Sequence, residues 1–171
     1  IAPARLDHPF LAGLDREAIL ASSRDGTVVM LLNAGRFHAA LTALSLEYAD
    51  AVRARDAERW AATWTADARW VLGEGRDVVG RDAIVEMWSA SMAKYAVVVQ
   101  MYQAASLDVN GEVASGRCEF YELKVRSDGS RHVLAGHYDD TYRRTAEGWR
   151  FTSRQLTRYY AGPPDLTGQF F

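Results

Sequence analysis

Three turn signals within residues 95–160 constrain the fold of this chain more than any other feature. Asn110-Gly111 is a strong hairpin signal, because both residues tolerate the positive φ of a type I′ turn. Ser127-Asp128-Gly129-Ser130 and Ala146-Glu147-Gly148 are the other two. The runs that they separate, residues 97–109, 112–125, 132–144 and 149–160, are rich in branched and aromatic side chains. Four long strands joined by three short turns form an antiparallel meander.

The half before the meander reads as helical. Phe37, Leu41, Leu44, Tyr48 and Val52 fall on one helix face. Asp56 suits the N-cap of a second, short helix, with Trp60 and Trp64 one turn apart on it. Residues 68–72 then read as a strand, Gly73-Glu74-Gly75 breaks it, and Val78-Val79 pairs back. A third helix starts near Arg81 and presents Ile84, Met87, Trp88 and Met92. Three helices ahead of a meander predict an α+β layer with the helices against one sheet face.

At 171 residues the chain suits one domain with a sizeable core. Residues 1–36 read as an N-terminal extension packing on the domain or on a partner, with a short helix over 14–21. Residues 28–32 read equally as a strand or as the lead-in to the next helix. Residues 37–166 form the domain. Pro163-Pro164 ends regular structure, and 167–171 are a tail.

Several function classes are disfavoured. A net charge of -2 supplies no general attraction to nucleic acid or to anionic membranes. No run approaches the roughly 18 apolar residues of a membrane span, and no basic segment leads into the apolar run at 27–32 as a signal peptide requires. The single cysteine, Cys118, rules out an internal disulfide and fits a cytoplasmic location. It has no base beside it in sequence, so it is not expected to be a nucleophile. No histidines have metal-ligand spacing, and the glycines form no phosphate-binding loop, so neither metal nor cofactor is expected.

Taken together, residues 48–70, the helix start Gly80-Arg81-Asp82-Ala83-Ile84, Leu107-Asp108-Val109-Asn110-Gly111, Gly136-His137-Tyr138-Asp139-Asp140 and Gly148-Trp149-Arg150-Phe151 resemble the SnoaL-like proteins of the nuclear transport factor two-like superfamily. The tail from Tyr160 to Leu166 is similar too. The resemblance covers about residues 38–166. It implies a conical α+β barrel, cystatin-like in outline, in which a curved antiparallel sheet wraps N-terminal helices around a deep, mostly apolar pocket. It also implies a homodimer through the sheet. Relatives include dehydratases, dehydrochlorinases, isomerases, cyclases, epoxide hydrolases and non-catalytic domains, so the fold does not choose the reaction.

The resemblance also locates where relatives keep their chemistry. The dehydratase branch uses an Asp on the first long helix and a His on the first long strand as a proton-abstracting dyad. The corresponding positions here are Arg53 and Gln100. Neither can act as a base near neutral pH. Asp50, one turn earlier, reads as a surface acid. The ketosteroid isomerase base falls near Leu72, which cannot titrate. The epoxide hydrolase branch needs two carboxylates and an Arg. Arg117 and Glu119 resemble part of that set, with Asp140 as a substitute second acid; the plain alternative is an outer-face ion pair.

Strand alternation adds to this. Gly136, Tyr138, Asp140 and Tyr142 share one face, and His137, Asp139 and Arg143 share the other. The second set suits solvent or a dimer, so Tyr138 and Asp140 are expected to point inward as catalytic candidates. An inward Asp140 needs a partner, and Arg154 is the first choice. Tyr48, Trp64, Trp88, Gln100, Tyr102 and Glu119 are the expected ligand contacts, although the tryptophans would equally serve as plain core.

Two readings follow. One is an enzyme on a small hydrophobic molecule: a cofactor-free lyase, isomerase, cyclase or hydratase. The other is a ligand-binding or assembly domain that has lost the dyad, the structural small subunit of an aromatic-ring dioxygenase being one version. A titratable side chain inside the pocket separates them.

Overall fold

The computed structural model describes residues 27–171. The chain divides into two units, Ile1–Phe37 and His38–Phe171. The helix expected over 14–21 lies outside the described residues.

Helix α1 spans Thr27–Ala54, so residues 28–32 are helical rather than a strand. From Leu41 on, its apolar face is buried through Leu44, Tyr48 and Val52, while Leu46 on the other side is exposed. The helix closes through Arg55, which takes the left-handed φ of 58°. The Arg55 N–H donates to the Val52 carbonyl at 3.2 Å and the Asp56 N–H to the Ala51 carbonyl at 3.0 Å. These are the paired bonds that satisfy the last orphan carbonyls of a helix. Asp56 immediately caps α2, Ala57–Ala62, by accepting from the Arg59 N–H at 3.0 Å.

Strand β1 runs Trp64–Gly73. Trp64 therefore opens a strand and does not continue α2, as its spacing from Trp60 predicted. Long-range pairing overrides the local period: the Phe151 N–H donates to the Thr63 carbonyl at 2.9 Å and pulls the chain into the sheet. Strand β2, Arg76–Val79, pairs back on β1. Helix α3, Arg81–Met92, buries Ile84 and Trp88.

The meander follows as β3 (Tyr95–Asn110), β4 (Val113–Arg126), β5 (Arg131–Thr145) and β6 (Gly148–Gly162). The first hairpin turns one residue later than expected. Its loop is Gly111-Glu112, and of these only Gly111 has positive φ, at 61°. A turn with one positive φ at its first central position needs one glycine, and Asn110 stays in the ladder opposite Val113.

The sheet order is β2-β1-β6-β5-β4-β3. The meander is antiparallel, but β1 lies parallel to β6, so the sheet is mixed and it does not close. A short strand β7, Gln169–Phe170, pairs with the end of β6, so regular structure resumes after Pro163-Pro164.

The core beneath the helices is aromatic. Trp60 stacks on Trp88 with ring centroids 4.6 Å apart and planes 13° apart. Tyr48, Trp64, Trp70 and Phe151 pack edge-on or tilted around them. Such rings bury large areas and prefer these geometries.

Gly136 is one of the glycines that close approach requires. At a register shift between Ala135 and Gly136, β5 comes so near β6 that a Cβ on Gly136 would lie 2.2 Å from the Thr157 carbonyl oxygen. Backbone cannot step aside cheaply. Gly136→Ala should therefore lose about 1–3 kcal/mol of stability in urea unfolding. An unchanged midpoint would contradict this packing.

Candidate functional site

The inner face of the sheet and the α3 helix line an open cavity of about 430 Å³. Tyr48 reaches it from α1, Trp88 and Met92 from α3, and Trp70 and Leu72 from β1. Strands β3 to β6 supply Tyr95, Gln100, Glu122, Lys124, Arg126, His132, Leu134, Tyr138, Leu156 and Arg158. The lining is thus aromatic on the helix side and mixed on the sheet side, where Val133, Leu134, Leu156 and Ala161 lie among the charged groups.

Glu122 is the central polar group, and it is only 6% exposed. Strand alternation places it: along β4, Cys118, Phe120 and Glu122 are buried while Arg117, Tyr121 and Leu123 face out. One Glu122 oxygen accepts from the Gln100 amide at 2.5 Å. The other pairs with the Lys124 ammonium at 2.6 Å. The Tyr102 hydroxyl donates to the Gln100 carbonyl oxygen at 3.1 Å, which orients that amide toward the carboxylate. The result is a relay of Tyr102, Gln100, Glu122 and Lys124 spread over two adjacent strands. A buried carboxylate in a cavity is costly unless paired, and here both oxygens are engaged.

Of the expected ligand contacts, Tyr48, Trp88 and Gln100 border the cavity, and so does the catalytic candidate Tyr138. Tyr102 acts one step behind, through Gln100. Trp64 does not border the cavity and packs in the core against Trp60, Trp70 and Phe151. Burial pushes the Tyr48 and Tyr138 phenols well above their ordinary range, so near neutral pH both are hydrogen-bond donors and not bases. Burial likewise pushes the Cys118 thiol up to about 11, which keeps it protonated.

Asp140 and Arg154 form the pair that strand alternation predicted. Arg154 Nε and Nη2 donate to the two Asp140 oxygens at 2.9 and 3.1 Å, and both side chains are fully buried. The Tyr142 hydroxyl donates to Asp140 Oδ2 at 3.2 Å. The guanidinium carbon lies 4.1 to 4.5 Å from the ring centroids of Tyr138, Phe151 and Tyr48. Burial raises the Asp140 carboxyl, against the pull of Arg154 and Tyr142. Asp140 does not border the cavity. Its expected catalytic place is corrected to one behind the wall, where it holds the cation that the cavity's tyrosines stack on.

Glu119 is corrected as well. It lies on the outer face, where it accepts from the Tyr159 hydroxyl at 3.2 Å. Arg117 pairs there with Asp139 at 3.0 Å, the plain ion pair weighed above. His137 shares that face, with Nδ1 2.6 Å from the Tyr159 hydroxyl. Glu119 and Asp140 thus sit on opposite faces of the sheet, so they cannot act on one epoxide. Asp50 and Arg53 pair with each other on the helix surface, and Arg59 joins Asp50 at 3.2 Å. Sequence reasoning missed Glu122 and Lys124, although the alternation that buries Cys118 puts both on the same face.

Removing one partner of the buried pair should be severe. Asp140→Leu leaves Arg154 charged and uncompensated, and should lose about 3–5 kcal/mol in urea unfolding. The double variant Asp140→Leu, Arg154→Met should recover much of that loss. Equal stability of the single variant and wild type would contradict the assignment.

Comparison with known proteins agrees with this architecture. The SnoaL-like domain profile matches residues 36–155. The Kfla4162 protein of Kribbella flavida is 19% identical, with a TM-score of 0.71 over 78% of this chain and 97% of that one. A hexachlorocyclohexane dehydrochlorinase, LinA type 2, is 20% identical, with a TM-score of 0.71 over 82% and 95%. A candidate aromatic ring hydroxylase from Novosphingobium aromaticivorans is 26% identical, with a TM-score of 0.68 over 72% and 89%. No curated protein matches the chain significantly. Since the profile spans more than two thirds of the 171 residues, the chain belongs to the SnoaL-like domain family, of nuclear transport factor two-like fold.

Proposed function

We propose that this protein acts on a small carbonyl compound in the cavity as a lyase or isomerase, with Glu122 as the proton-transferring group. The observation that carries this reading is a buried carboxylate inside the cavity, flanked by an ammonium. The positions of the dyad used by dehydratase relatives hold Arg53 and Gln100, so proton transfer needs another base. Gln100 then serves as a positioning residue that fixes the Glu122 carboxylate through its amide.

The chemistry follows from these groups. Each Glu122 oxygen keeps a lone pair beyond the bond it already accepts. One takes a proton from the carbon beside the substrate carbonyl. The C–H electron pair becomes the new C=C bond. In a dehydration the β-hydroxyl leaves with its C–O electron pair and departs as water, the proton coming from Lys124. In an isomerisation Glu122 returns the proton to another carbon. Tyr48 and Tyr138, held protonated by burial, can donate to the oxygen on which negative charge builds. One structural neighbour is a hexachlorocyclohexane dehydrochlorinase, and at 20% identity it supports the shared fold.

A second reading, a ligand-binding domain, draws on the fact that both Glu122 oxygens already have partners. One experiment separates the two. Wild type and Glu122→Gln would be incubated in D₂O with a panel of cyclic ketones and β-hydroxy ketones, and deuterium uptake and alkene formation followed by NMR. The enzyme reading expects turnover by wild type and a loss of about 10²–10⁴-fold in Glu122→Gln. Binding without exchange by wild type, or full activity in Glu122→Gln, would contradict it.

A further inference from the structure

We propose that the natural ligand of this cavity is an organic anion, a cyclic or aromatic carboxylate, whose carboxylate docks on Arg126 at the open end of the sheet. This rests on the reading of the cavity as the working site.

Charge at the cavity is opposite to that of the whole chain. The chain carries a net -2, yet the lining holds Arg76, Lys124, Arg126 and Arg158 against the single carboxylate of Glu122. A cleft of one sign with low-dielectric walls concentrates ligands of the other sign. Three of the four cations are already matched. Lys124 pairs with Glu122 at 2.6 Å. Arg158 and Arg76 both reach Glu74, at 2.5 and 3.6 Å. Arg126 is different: among the described residues no carboxylate forms an ion pair with it. Asp128 on the following turn is within electrostatic reach, but it accepts from the Ser130 N–H at 2.8 Å and does not close on the guanidinium.

Register and aromatic contacts define the docking corner. Arg126 is opposite Tyr95, and Lys124 is opposite His132. The Arg126 guanidinium carbon and the Lys124 ammonium lie 5.5 and 5.3 Å from the centroid of the same Tyr95 ring. A carboxylate entering here would meet a planar guanidinium able to bind it bidentately, with His132 beside it. Along β4 the rise from Glu122 to Lys124 is about 7 Å, and to Arg126 roughly twice that. An anion held by Arg126 would therefore have to span much of that distance to present a carbon to Glu122, with its apolar body against Trp88, Met92 and Leu134.

The test uses 2-naphthoate and its neutral counterpart 2-naphthamide, with binding read from the protein's own tryptophan fluorescence, since Trp70 and Trp88 line the cavity. At low salt the carboxylate should bind about ten-fold or more tightly than the amide, and added salt should narrow the gap. Arg126→Gln should remove most of the preference while leaving amide affinity in place. Equal affinities, no binding of either probe, or a preference that survives Arg126→Gln would overturn the proposal. Glu122→Gln keeps the two ideas apart. It should retain the carboxylate preference, so a preference with unaffected exchange chemistry would sink the proton-transfer reading and leave the anion site standing.

Discussion

The Arg154 guanidinium, buried among aromatic rings and clamped by Asp140, is the interaction on which the inner sheet depends. An arginine is always charged, and burying it without a counter-charge is strongly unfavourable. Asp140 supplies that charge from the neighbouring strand, which locks β5 against β6 in one register. The rings of Tyr48, Tyr138 and Phe151 then stack on the cation from three elements, α1, β5 and β6. A helix is thereby tied to the sheet at the point where the cavity begins. The same contact engages both oxygens of an acid that could otherwise have served as a base, while burial keeps the tyrosines protonated as donors.

The cavity's own acid comes from a different strand. Period-two alternation along β4 carries Cys118, Phe120, Glu122 and Lys124 inward, so one strand delivers both a carboxylate and an ammonium. Gln100, which the resemblance sets where the dehydratase branch carries its His, bonds directly to Glu122. On the proposed reading the site is displaced by one strand and not simply lost. In that reading a carboxylate does the work of the imidazole, and the glutamine orients it.

Much of the fold was legible because its signals are local. Asp56 was readable as a cap from its own chemistry, and it caps α2. The three turns marked four strands, and the helix face through Leu41, Leu44, Tyr48 and Val52 is buried as its spacing required. The Asp140–Arg154 pair was readable from alternation together with the need of a buried acid for a partner. What failed depended on long-range pairing. Trp64 lies at helical spacing from Trp60, yet the pairing of Thr63 with Phe151 makes it a strand residue. The parallel contact of β1 with β6 joins segments more than eighty residues apart, and no local pattern announces it. Glu119 was misplaced because the acidic unit Arg117-Cys118-Glu119 was read by resemblance when the alternation of its own strand assigns it outward.

The central claim is that Glu122 moves a proton from within the cavity. The most direct test is a crystal structure of the protein with a carbonyl compound that it turns over or exchanges, trapped in Glu122→Gln. The account predicts the ligand's acidic carbon about 3–3.5 Å from the side chain at position 122, with its carbonyl oxygen facing Tyr48 or Tyr138. A ligand held elsewhere on the protein, or one whose acidic carbon points away from residue 122, would contradict it.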